Sequence, residues 1–153
     1  MGDAQWAPKN PGFADAVRSS FARQSMMATL GARIIELNAG AVDLAAAFAP
    51  QFGQQNGFWH AGAVASLADS ANGYAAFTLA PVGTDILAVE FKINLLAPAR
   101  GDSFVARGRV IRPGGTLTVC QGEVFALTGK TEIKVAIMLS TLITRPISRE
   151  VTP

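Results

Sequence analysis

The chain has 153 residues, half of them hydrophobic and 16% charged, which excludes a disordered segment and fits one domain around a single core. Net charge is only +2, but residues 1–90 carry four basic and seven acidic side chains, and residues 91–153 carry nine basic and four acidic ones. A single cysteine, Cys120, excludes an internal disulfide, and with a single histidine it excludes a His/Cys metal centre.

In chain order, residues 12–28 place Phe13, Val17, Phe21 and Met26 at helical spacing behind Pro11, which predicts one amphipathic helix. Residues 31–37 and 41–44 read as two strand pieces around the turn signal Asn38-Ala39-Gly40. From about 61 to 79, Val64, Leu67, Ala68, Ala71, Ala75 and Leu79 recur at three- and four-residue steps and form the core stripe of a long central helix. Strand-like runs follow at about 86–96, 103–111, 116–127 and 132–144, separated by turns around Pro98-Ala99-Arg100, Pro113-Gly114-Gly115 and Thr128-Gly129-Lys130. Tight connections predict an antiparallel four-stranded meander. The expected protein is a single α+β domain over residues 1–153, one sheet wrapped around one helix.

No run approaches the roughly 18 apolar residues of a membrane span; the best, residues 135–143, is interrupted by Ser140 and Thr141. The surplus hydrophobicity, a mean hydropathy of +0.29, is expected to cover a subunit interface. The N-terminal residues lack a basic start followed by an apolar stretch, so a cytoplasmic location is expected. Nothing in the basic half matches a nucleic-acid-binding motif, and a phosphate-bearing small ligand suits it better.

The most informative residue is Asp69. It lies in the apolar central helix behind the loop Gln54-Gln55-Asn56-Gly57-Phe58-Trp59-His60-Ala61-Gly62, and no Lys or Arg occurs between Arg33 and Lys92 to pair it in sequence. A carboxylate dehydrated there must be paired or used. Ser66, Asp69, Ser70 and Gly73 share a face of small or polar groups, which suits close approach by a ligand although Gly73 costs the helix about 1 kcal/mol.

Gln54, His60-Ala61-Gly62 and Asp69, followed by Ala71-Asn72-Gly73-Tyr74-Ala75 and by residues 89–101, resemble the hotdog-fold acyl-CoA thioesterases of the phenylacetate-pathway (PaaI) type. The likeness covers roughly residues 28–145. Gln54 stands where Asn is common, Ala61 replaces the first Gly of the family's pair, and Ala88 falls where some relatives place a hydroxyl that helps hold the attacking water, leaving that task to Asp69 alone or to Thr84 or Ser70. The resemblance implies a hotdog fold, hydrolysis of small, medium or aromatic acyl-CoA thioesters, no cofactor beyond the coenzyme A of substrate and product, and a homodimer that assembles into a dimer of dimers. A non-catalytic acyl-CoA-binding module and a hotdog hydratase or dehydratase are the alternatives.

Thioester hydrolysis needs a group to activate water or attack the carbonyl, and donors for the oxyanion. Asp69 is the expected general base or nucleophile, and the first-turn N–H groups of Ala61 and Gly62 are the expected donors, with Gln54 and His60 fixing the carbonyl oxygen and the loop. Asn56, Gly57, Ser70 and Gly73 are expected to contact substrate. Phe58, Trp59, Tyr74 and Phe77 are candidates for an acyl pocket. Arg107, Arg109, Arg112 and Lys130 are candidates for the phosphates, with Gly115 and Thr116 admitting the pantetheine arm. Asp69 lies eight residues beyond Ala61, roughly 12 Å along one helix, so one carbonyl cannot touch both. Two antiparallel central helices about a two-fold axis would bring Asp69 of one subunit opposite Ala61 of the other.

Overall fold

The computed structural model describes residues 6–147. The expected N-terminal helix is two helices, α1 (Phe13–Ala22) and α2 (Ser25–Leu30), broken at Arg23 and at Gln24, whose backbone is extended. At roughly 100° per residue, Val17 and Leu30 would point about 140° apart on one straight helix. The break lets both be buried, along with Met27. Arg23 closes the end of α1 by donating to the Ser19 carbonyl at 2.9 Å and the Ser19 hydroxyl at 3.0 Å.

Strands β1 (Arg33–Asn38) and β2 (Ala41–Ala47) form the expected hairpin, with Gly40 at φ 75° supplying the left-handed turn position. The central helix α3 (Ala61–Phe77) stops two residues before its predicted end, where Thr78 takes over as cap. Strands β3 (Thr84–Leu95), β4 (Ser103–Arg112), β5 (Leu117–Thr128) and β6 (Thr131–Pro146) follow. All lie in one antiparallel sheet of order β1-β2-β4-β5-β6-β3.

That order corrects the predicted four-stranded meander. Only β4, β5 and β6 are consecutive neighbours; β3 pairs with β6 at the far edge, and β4 pairs with β2. The link over residues 96–102 is too long for a hairpin turn and contains Pro98. Seven residues can extend roughly 23 Å, enough to cross three strand spacings of about 4.8 Å. On the way the link passes beneath the start of α3, where the Ala99 carbonyl accepts the Trp59 N–H at 2.8 Å.

The sheet wraps α3, whose Val64, Leu67, Ala68, Ala71 and Ala75 are buried as the periodicity predicts. The helix is tied down at both ends. His60 N–H donates to the Phe52 carbonyl at 2.8 Å, and at the other end the Gly40 N–H donates to Thr78 Oγ1 at 2.7 Å. Among the described residues no helix is long and apolar enough to cross a membrane.

Candidate active site

Asp69 sits midway along α3, half-buried, with Oδ1 shielded and bonded to no group of the described residues. Burial pushes its pKa up from the ordinary carboxylate value. It lines a cavity of about 420 Å³ with Ser70, Gly73, Tyr74 and Phe77 from its own helix and Ala88 from β3. A Cβ on Gly73 would meet only Leu142 Cδ2, at 3.9 Å, so packing does not demand glycine there; its absence of a side chain keeps the cavity open. Thr84 is not in this cavity: its hydroxyl donates to the Pro81 carbonyl at 2.7 Å, so of the two hydroxyls considered beside Asp69 only Ser70 is present.

The wall opposite α3 comes from the N-terminal helices. Ser20, Arg23 and Gln24 line it, with Ser20 Oγ 3.5 Å from the Tyr74 hydroxyl and Ser70 Oγ donating to Gln24 Oε1 at 3.4 Å. Burial raises the Tyr74 pKa above its ordinary value. Ser20, Arg23 and Gln24 belong to no motif, and no local signal in the sequence marks them.

The loop forms a second cavity, of about 660 Å³, lined by Gln54, Phe58, Trp59, His60 and Ala61 together with Leu95, Leu96 and Pro98. Gln54 N–H donates to the Phe58 carbonyl at 2.8 Å, and Gln54 Oε1 accepts the Asn56 N–H, which closes the loop on itself. Gly57 at φ 81° makes the turn possible, and Asn56 and Gly57 are exposed at its tip. Trp59 stacks on Phe104 with ring centroids 4.2 Å apart.

His60 is the N-cap of α3, and its Nδ1 accepts the Gly62 N–H at 2.9 Å. That bond takes one of the two expected oxyanion donors and leaves the proton of the neutral ring on Nε2. A Cβ at Gly62 would stand 3.0 Å from Nδ1, so glycine is what lets the cap close. Among the described residues the Ala61 N–H carries no hydrogen bond, and it opens on the helix end where the dipole is positive. Replacing His60 by Ala removes an N-cap and is expected to lower stability by about 1 kcal/mol. Thermal denaturation measures this loss, and an unchanged Tm would reduce the cap to an incidental contact.

Within this chain the loop residues and Asp69 line separate cavities. Arg112, Gly115 and Thr116 line neither and are exposed beyond the C-terminal end of α3, where the Thr116 carbonyl accepts the Thr144 N–H at 2.8 Å. Arg107 and Arg109 are also unsuited to the phosphate role expected of them. Arg107 makes two bonds of 2.8 Å to Glu132 and lies 4.3 Å above the Phe125 ring, and Arg109 pairs with Asp43. Cys120 is fully buried, with its thiol pushed up to about 12 by burial, which makes it unreactive.

The Thioesterase superfamily model matches residues 56–133, the span from the loop through β5 that holds Asp69 and the capped helix start. The chain belongs to the thioesterase superfamily. A thioesterase family protein from Silicibacter pomeroyi has 47% sequence identity with it, over 88% of this chain and 99% of that one, with a TM-score of 0.87. A protein of Saccharolobus solfataricus named as an esterase is 30% identical over 105 residues, 69% of this chain and 74% of that protein. The PaaI protein of the E. coli phenylacetic acid degradation operon shares the fold at 22% identity, with a TM-score of 0.78 over 89% of this chain and 94% of its own. This thioesterase therefore has the hotdog fold and is a thioester hydrolase. The N-terminal helices that wall the Asp69 cavity lie outside the segment matched by the family model.

Proposed function

We propose that this thioesterase hydrolyses acyl-CoA thioesters with Asp69 as general base and the Ala61 N–H as oxyanion donor, in sites shared between two subunits. The observation that carries this reading is the half-buried, unpartnered Asp69 carboxylate in its own cavity, with its pKa raised toward the working range of a base. Asp69 takes a proton from water as the oxygen attacks the thioester carbonyl. The carbonyl oxygen gathers negative charge at the start of α3, and as the intermediate collapses the C–S bond breaks and the protonated Asp69 returns its proton to the leaving thiolate. A single turnover in ¹⁸O-water tests this: direct water attack puts the label in the acid, whereas a mixed anhydride opened at the aspartyl carbonyl leaves the label on Asp69 and an Asp69 oxygen in the acid.

Two facts support a second copy as the partner. Ala61 and Asp69 are roughly 12 Å apart along one helix and open into different cavities. Strand β3 is a sheet edge twelve residues long, with Val89 and Phe91 exposed on it, an edge suited to pairing with another chain. Antiparallel pairing there sets the two α3 helices side by side in opposite directions. Assembly of two such dimers is part of the same proposal.

For coenzyme A, Arg100 replaces the expected Arg112. It makes no salt bridge among the described residues, comes next in the chain after Pro98 and Ala99, which line the loop cavity, and stands 5.7 Å over the Phe58 ring. Arg100→Ala is expected to weaken inhibition by CoA about fivefold at low ionic strength and to flatten its salt dependence, with Arg112→Ala near wild type. The opposite ranking of inhibition constants would return the phosphates to Arg112. The whole function is tested by free-thiol release from a panel of acyl-CoA and acyl-carrier-protein thioesters. Activity is expected on small, medium or aromatic acyl-CoAs, and silence across the panel overturns the reading.

A further inference from the structure

The face that α3 turns to the sheet is nearly smooth. Ala68, Ala71 and Ala75 are fully buried there, and beneath them Gly108 of β4 and Gly122 of β5 are register partners. A Cβ on Gly108 would stand 2.3 Å from the Ala71 carbonyl oxygen, and one on Gly122 2.8 Å from Asn72 Oδ1. Alanine against glycine allows close approach but supplies few ridges and grooves to fix how the helix is rolled or slid on its bed.

One polar contact interrupts this surface. Asn72 Nδ2 donates to Ser140 Oγ on β6 at 2.8 Å, with both residues 0% exposed. Asn72 Oδ1 has no donor among the described residues. An unpaired buried amide oxygen costs at least as much as the single neutral hydrogen bond it accompanies returns. Stability alone therefore does not account for the amide. A directional bond in a smooth interface has another use, the setting of registry.

We propose that the Asn72–Ser140 hydrogen bond is a positioning clamp that fixes the roll and register of α3, and through it the places of the Asp69 carboxylate and the Ala61 N–H. Asp69 precedes Asn72 by three residues on the same rigid helix. At a side-chain radius of roughly 5 Å, a roll of about 15° moves a carboxylate by more than 1 Å. Misplacement on that scale can lower a rate about 10²-fold. The inference rests on Asp69 acting in the reaction, which Asp69→Asn tests separately.

Ser140→Thr and Ser140→Val compare side chains of one shape that differ in the hydroxyl. The Thr variant is expected to keep most of kcat, and the Val variant to lose about 10-fold with KM within about twofold. Ser140→Ala adds no volume and is expected to show the same fall in kcat. The double variant Asn72→Leu/Ser140→Ala removes both polar partners and is expected to hold or raise Tm while kcat stays low, a separation that loss of folding cannot produce. Equal kcat in the Thr and Val variants, wild-type kcat in Ser140→Ala, or losses of kcat that simply follow Tm would overturn the clamp. If these results overturn it while Asp69→Asn is inactive, only the clamp fails; if Asp69→Asn is active, the catalytic reading fails with it.

Discussion

Asp69→Asn is expected to lower kcat by at least ~10²-fold while raising Tm at neutral pH. The two effects share one cause. Burial raises the folded-state pKa of Asp69 above its unfolded value, so the folded protein holds this proton more tightly. Between those two pKa values the folded state binds more protons than the unfolded state, and stability falls as pH rises. Above its folded-state pKa the wild type carries the full penalty of a dehydrated charge, and the neutral amide removes it. The gain in Tm should shrink as pH falls and vanish below the ordinary carboxylate range, where both proteins are uncharged at this position. For the same reason the acid limb of the wild-type rate profile should lie above that range. Denaturation and kinetics measured across pH check both arms. A variant with near-wild-type turnover would remove Asp69 from the mechanism, and a Tm gain independent of pH would point to repacking.

The second large effect is recovery of activity from two inactive parents. One carries Asp69→Ala, and the other bulky substitutions at Ala61 and Gln54. In a mixed dimer, one of the two sites combines an intact Asp69 with an intact loop. Activity should rise from near zero toward a quarter of the wild-type level when equal amounts exchange at random, because half the dimers are mixed and each has one good site. Native mass spectrometry establishes the exchange. Verified mixing without activity would place acid and donor in one chain and end the shared-site reading.

Much of this was legible because α3 has a strong pattern. Leu67, Ala71 and Ala75 announce its buried face, and an acid among them announces a dehydrated carboxylate. Alternating strands are nearly as clear, but alternation reveals that a strand exists and not which neighbour it takes: short connections predict β3 beside β4, and the structure pairs it with β6. The break between α1 and α2 follows from the opposed directions of Val17 and Leu30 around a core that local sequence does not describe. Arg107 and Arg109 look like free cations in sequence because their partners, Asp43 and Glu132, reach them only through strand pairing. Ser20 and Gln24 escaped for a similar reason: their contacts to Tyr74 and Ser70 span 54 and 46 residues. The His60 bond to Gly62 is local, yet a loop histidine carries no mark that separates a cap from a substrate contact.

The two sides of the Asp69 cavity differ in how firmly they are held. Helix α3 is moored at Phe52 and at Gly40 by bonds of 2.8 and 2.7 Å, whereas the side-chain hydrogen bonds from α1 and Gln24 to α3 are 3.5 and 3.4 Å long. By that difference alone, the first movement that opens this cavity is expected in the N-terminal helices, with α3 as the frame. Amide exchange should be faster in α1 than in α3, and the rate at which bulky acids leave the protein would be governed by a segment that holds none of the reacting atoms.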